Sequence, residues 1–150
     1  MNTVKAVPVL LRGTGAAAEI LAFRHPLAGL QLVKGSIEVG ESPQDAALRE
    51  LAEESGLHKP MVIRDLGIWS SGYEGQVWHF QEVQCSGTLP ETWEHFTQDG
   101  GGQVFHFFWH LLHSVPSQDW HPVYRAALAE LRCRLGINET SHAATARSAA

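Results

Sequence analysis

Apolar and polar positions along this chain alternate in two different periods, and the switches between them mark the expected elements. Residues 4–12 form a mostly apolar, β-branched run that predicts a strand. Residues 13–15 are turn material, and residues 17–23 predict the hairpin partner of that strand. A short strand is expected at residues 30–33, followed by a glycine-containing loop through Gly40. Strand patterns return at residues 61–69, 76–83 and 103–111. In the last of these, Phe105, Phe107 and Trp109 alternate with His106, Phe108 and His110, so both faces are expected to be covered. Residues 85–102, polar and rich in glycine, are expected to form a loop.

Two segments carry the helical period instead. The first spans residues 43–55. Ser42 suits the N-cap, Pro43 the first helical position, and Asp45 the first turn, where the helix dipole favours a negative charge. Gly56 can take the left-handed conformation that ends the helix. The second helix is expected at residues 122–135, with Val123, Leu128, Leu131 and Leu135 on its apolar side and Gly136 closing it. Strands around two helices, without strict βαβ alternation, predict an α/β fold with a mixed sheet packed between helices. Residues 1–137 are expected to form one domain, and residues 138–150, small and polar, a disordered tail.

Composition narrows the partners. With 44% hydrophobic and 18% charged residues, the chain has the balance of an ordinary globular domain. A formal charge of −5 argues against nucleic acid as a partner, since sequence-independent binding needs a basic face. It leaves room for a small phosphorylated ligand, because a divalent cation can supply the missing charge. Cys85 and Cys133 stand far apart, with no Cys-x-x-Cys pair, which points to reduced thiols and a cytoplasmic protein. No long apolar run suggests a membrane span. The first residues, with Lys5 inside a strand pattern, lack the core of a signal peptide.

On a wheel of about 100° per residue, Ala47, Leu48, Leu51 and Ala52 share one side of the first helix, and Glu50, Glu53 and Glu54 fall together on the other. Like charges at these spacings repel by a few tenths of a kcal/mol per pair, and Arg49 relieves only part of it. A solvated acidic face would be the plain reading of three glutamates alone. The surroundings argue for more. Gly35, five residues, Glu41, seven residues, Arg49-Glu50-Leu51, one residue, Glu53-Glu54, one residue and Gly56-Leu57 resembles the Nudix box at every constrained position. Such a coincidence at a given start is expected less than roughly once in 10⁸ at average residue usage.

This resemblance implies the Nudix α/β/α sandwich and hydrolysis of a nucleoside diphosphate linked to another group. It implies metal binding, by Mg²⁺ or by Mn²⁺ in its place, through Glu50, Glu53 and Glu54, and through the backbone carbonyl of Gly35. Glu41 would support the loop or the outer metal shell, and Arg49 would orient a glutamate by an ion pair. Pyrophosphate resists attack because its oxygens are already negative, so cations must neutralise it and activate water, and a carboxylate must take the proton. Glu50 is one candidate base. A glutamate in the 86–102 loop is the other; Glu91 and Glu94 are available, with Glu94 favoured.

For the substrate, the resemblance leans to dinucleoside polyphosphate hydrolases. These commonly have Pro-Lys-Gly at the start of the box, where this chain has Val33-Lys34-Gly35, and a tyrosine 16 to 18 residues past it; Tyr73 lies 73 − 57 = 16 residues beyond Leu57. Lys34 is expected to contact a phosphate. Trp93, in the polar loop, is expected to stack on a base, since an exposed ring there has no core to fill. Nucleoside triphosphates and nucleotide sugars such as ADP-ribose are the next substrate classes, and a nucleotide-binding domain without catalysis the remaining one. A homodimer is common in the family.

Overall fold

The computed structural model describes residues 3–98 and 101–137, so the expected disordered tail lies outside the described residues. Among the described residues, eight strands and two α-helices follow one another as β1 (Thr3–Arg12), β2 (Glu19–His25), β3 (Gly29–Gln31), β4 (Gly35–Ser36), α1 (Pro43–Ser55), β5 (Met61–Ser70), β6 (Gln76–Gln84), β7 (Trp93–Thr97), β8 (Gln103–Leu111) and α2 (Pro122–Leu135), with one 3-10 turn at Gly15–Ala17. The sheet runs β5-β6-β1-β2-β8-β7, with β3 added to β2 and β4 to β1. β1 is its spine. It pairs in parallel with β6 from Thr3↔Gln76 to Leu10↔Val83, then antiparallel with β2 at Leu11↔Ile20 and Arg12↔Glu19. The other pairings are antiparallel, so the sheet is mixed.

Side chains alternate across a strand, and here each face finds a helix. Val7 and Val9 of β1, Ile20 and Ala22 of β2, and Trp78 and Phe80 of β6 pack with Val123, Ala127, Leu128 and Leu131 of α2. Leu10, Leu21, Phe23, Val83, Phe105 and Phe107 point the other way and pack with Leu51 of α1. The expected α/β/α sandwich is therefore the observed one. Among the described residues no helix is long and apolar enough to cross a membrane.

Two local expectations change. The 85–102 segment is not all loop, because Trp93–Thr97 forms edge strand β7 on β8, from Trp93↔Phe107 to Thr97↔Gln103. Five residues flanked by glycine and proline are too short a run for alternation to stand out. In β8 the face carrying Phe105, Phe107 and Trp109 is buried, whereas on the other face His106 is exposed. Phe108 and His110 are only partly covered there, with ring centroids 6.3 and 5.0 Å from Trp120. The helix α2 lies over β1, β2 and β6 and leaves that end of the sheet open.

Leu51 is 1% exposed at the centre of the α1 face. Leu51→Ala is expected to cost about 2–5 kcal/mol, through lost burial and the cavity left behind. Val39→Ala, at a fully exposed loop position, should stay within about 0.5 kcal/mol. Urea denaturation of both variants measures the contrast.

Candidate active site

The site is assembled where the chain leaves β3 and enters α1. Leu32 and Val33 are buried and anchor the segment. Gly35 and Ser36 then pair with Ala6 and Lys5 of β1. The chain turns at Glu38, whose carbonyl accepts from Glu41 N at 3.0 Å. Helix α1 starts as its sequence predicts: the Ser42 hydroxyl accepts from Asp45 N at 3.0 Å, and Gly56 closes the helix with φ 76°.

Arg49 ties these pieces together. Its Nε and Nη2 donate to the two oxygens of Glu41, at 2.8 and 2.9 Å. Nη2 also donates to the Ser36 carbonyl at 2.9 Å. Nη1 reaches Glu50 Oε1 at 2.8 Å and Glu53 Oε2 at 3.3 Å. A guanidinium has a fixed planar fork of donors, so one side chain sets the position of the loop and two helix carboxylates together. Those bonds hold the Glu41 carboxyl down at about 2, against an ordinary 4.5, with the Arg49 bond the largest cause and the Glu38 N–H next.

The structure corrects the helical wheel. Glu50 and Glu54 are not on the solvent side; both are 7% exposed and lie on the stripe with Ala46, Ala47, Leu51 and Ser55. Positions 47, 50, 51 and 54 are three and four residues apart and so share one face. Glu53 sits just past the edge of the stripe and is exposed. The Glu50 carboxylate lies directly on the backbone of Gly35, where any Cβ would overlap it. That clearance is an observed reason for glycine at position 35, alongside the role for its carbonyl that the box implies.

No three His, Cys, Asp or Glu side chains among the described residues converge in metal-ligating geometry. Arg49 holds Glu50 and Glu53 instead. The donor set nevertheless fits a hard divalent cation. Two buried carboxylates one turn apart, one of them over the bare backbone of Gly35, offer only oxygen, and Mg²⁺ is commonly held by one or two carboxylates completed by substrate phosphates.

Lys34 and Tyr73 are brought together. Both line a cavity of about 320 Å³ with Ala28, Gln31, His121, Val123 and Tyr124. The Lys34 ammonium donates to Gln76 Oε1 at 3.0 Å and lies 4.7 Å from the centre of the Trp78 ring and 5.5 Å from that of Tyr124. Burial pushes it down from 10.5 to about 8, with Lys5 adding to the effect. Gln76, Trp78, His121 and Tyr124 were not singled out from sequence. They reach Lys34 from β6 and the start of α2, and no local pattern marks them.

Trp93 and Glu94 stand elsewhere. The Trp93 ring stacks on Phe107, centroids 5.2 Å apart and 12° between planes, and its Nε1 donates to the Ser55 carbonyl at 2.9 Å. It has a core to fill after all, on the α1 side of the sheet. Glu94, the next residue along β7, points to the opposite face, where it pairs with His106 Nδ1 at 3.3 Å. It is not brought to the glutamates of α1. Glu91 is bound to Arg12, with Nη2–Oε2 at 2.6 Å.

A mixed sheet thus lies between two helices, with the buried Glu50 carboxylate set against a glycine backbone. The chain belongs to the NUDIX domain family, whose family model matches residues 2–131. It is 30% identical over 120 residues to an RNA pyrophosphohydrolase of Bartonella quintana, a match covering 68% of this chain and 69% of that protein. It is 40% identical over 57 residues to an ADP-ribose pyrophosphatase of Haemophilus influenzae, covering 38% of this chain and only 26% of that protein's length. Its fold is similar to the crystal structure of an ADP-ribose pyrophosphatase from Streptococcus suis, with TM-score 0.65, 14% identity, and 95% and 96% of the two chains covered.

Two outcomes are expected. Gly35→Ala should displace the Glu50 carboxylate and abolish divalent-metal binding, read by calorimetry, while circular dichroism still reports a folded chain. The ion pair of Glu41 stabilises the fold fully above its ordinary 4.5, and that contribution is lost as pH falls through about 2. The stability advantage of the wild type over Glu41→Gln should therefore shrink steadily across that window in urea titrations at stepped pH.

Proposed function

We propose that this chain is a pyrophosphohydrolase dependent on Mg²⁺, or Mn²⁺ in its place, acting on a nucleoside diphosphate linked to another moiety. A dinucleoside polyphosphate such as diadenosine tetraphosphate is the first substrate class. The observation that carries the reading is the pair of buried carboxylates, Glu50 and Glu54, with Glu50 set against Gly35 and held in place by Arg49. Two carboxylates one turn apart on a buried stripe present only oxygen, the ligand type that a hard divalent cation takes.

Glu50, Glu54 and the Gly35 carbonyl would hold the cation, with Glu53 at the exposed edge. When bound, it supplies charge neutralisation for the pyrophosphate and acidifies water. Arg49 fixes the direction of Glu50, and through Glu41 it keeps the loop closed over the helix. Glu50 is the proposed base, since Glu94 faces away across the sheet and Glu91 is occupied by Arg12. A water oxygen bonds to phosphorus, its proton passes to the carboxylate, and the bridging oxygen leaves with its electron pair on the second phosphate.

The lysine beside an aromatic-lined cavity supports a substrate with further phosphates. Similarity to proteins named ADP-ribose pyrophosphatase favours a second reading, hydrolysis of a nucleotide sugar. The test is a substrate panel with Mg²⁺ or Mn²⁺ covering dinucleoside polyphosphates, nucleoside triphosphates and ADP-ribose. Release of a nucleoside monophosphate or related phosphate from at least one is expected, and release from none refutes the reading. Glu54→Gln should remain folded and lose roughly 10²-fold or more in turnover, since a metal supplies several kcal/mol of transition-state stabilisation.

A further inference from the structure

The far end of β1 carries a second cavity. β1 and β6 run in parallel as far as Leu10↔Val83 and then part, because Leu11 and Arg12 pair with β2 while β6 ends at Gln84. Residues 85–92 leave β6 and lead into β7. Where they pass the end of β1 there is a cavity of about 290 Å³. Leu10 and Trp109 line it as buried residues, Leu89 and Cys85 as half-buried ones, and Gln84 and Thr88 as exposed ones at its mouth. Leu11 lies roughly 17 Å along the strand from Ala6, the partner of Gly35, at about 3.4 Å per residue. The cavity is therefore well apart from the α1 carboxylates.

The segment over the cavity is fastened at two points. Trp109 Nε1 donates to the Pro90 carbonyl at 3.0 Å. Arg12 Nη1 and Nη2 donate to the two oxygens of Glu91 at 3.0 and 2.6 Å. Arg12 Nε donates to Glu19 at 2.8 Å, and the guanidinium lies 4.4 Å from the centre of the Trp109 ring. Arg12 brings a positive charge to the wall, but two carboxylates already face it. An entering anion would meet more negative charge than positive, and would lose its water as well. Burial pushes the Cys85 thiol up, so it lines the cavity as a neutral group. What remains for a ligand is the apolar surface of Leu10, Leu89 and Trp109, with the Gln84 amide and the Thr88 hydroxyl, which both donate and accept.

We propose that the cavity under residues 85–91 binds a neutral, flat, mainly apolar molecule of one or two rings that carries a single hydrogen-bonding group. The proposal goes beyond the hydrolase reading and does not rest on it. The ring body lies against Leu10, Leu89 and Trp109, and the polar group turns to Gln84 or Thr88 at the mouth. An apolar cavity of about 150 Å³ is enough to take up benzene. At about 290 Å³ this one has room for a fused pair of rings.

Indole is the probe, and benzoate is an anion of similar size. Nitrogen-15 NMR of the full chain, without metal, should show saturable shifts with indole at residues 10–12, at residues 84–91 and at the Trp109 side-chain N–H. The expected dissociation constant is on the order of 0.1–1 mM, for a ligand of about nine non-hydrogen atoms. Benzoate should bind at least about tenfold more weakly. Leu89→Trp, which fills the cavity from the loop, should weaken indole at least about tenfold while circular dichroism still reports a folded chain. The proposal is overturned by indole shifts that do not saturate up to about 10 mM, or that saturate at another part of the chain. Benzoate binding as tight as that of indole, or undiminished indole binding by folded Leu89→Trp, overturns it too. If Leu89→Trp unfolds, the wild-type shift map and the benzoate comparison decide the matter by themselves.

Discussion

One guanidinium organises the acidic end of this molecule. Arg49 bonds Glu41, the Ser36 carbonyl, Glu50 and Glu53, so the loop before α1 and the carboxylates on α1 share a single reference point. Without it, several carboxylates along one turn and one loop would repel. Arg49 also balances the cluster when no cation is near it. A lysine there would be a single point charge and could not serve loop and helix through separate edges of one plane.

Much of this was legible in the chain. The caps of α1, Ser42 with Pro43 and then Gly56, are local chemistry, and the helix forms with the bounds they predict. The resemblance implied an ion pair between Arg49 and a glutamate without saying which, and the structure shows bonds to Glu41, Glu50 and Glu53. The sandwich could be read because strands such as β1 and β6 carry apolar residues on both faces, which requires a layer on each side.

What escaped is what depends on tertiary contact. A wheel divides residues by polarity, and therefore placed Glu50 and Glu54 outside; the fold buries both, and Gly35 closes over Glu50. Trp93 and Glu94 lie in a segment whose strand is too short to advertise its alternation, so two neighbours expected to serve one site face opposite sides of the sheet. Lys34 was legible as a residue but its surroundings were not, since Gln76, Trp78, His121 and Tyr124 come from segments far along the chain.

The parallel pairing of β1 with β6 has a consequence for how the molecule comes into being. Thr3 must find Gln76, and parallel pairing over so long a separation forms slowly compared with a capped local helix. During synthesis α1 can therefore take shape before the sheet closes, and α2, which follows the N-cap His121 and carries Tyr124, emerges after every described strand. The acidic helix precedes the residues that wall the Lys34 cavity. A chain halted before α2 would own the carboxylates and lack the His121 and Tyr124 walls of the Lys34 cavity, so that cavity is completed only with the last described element.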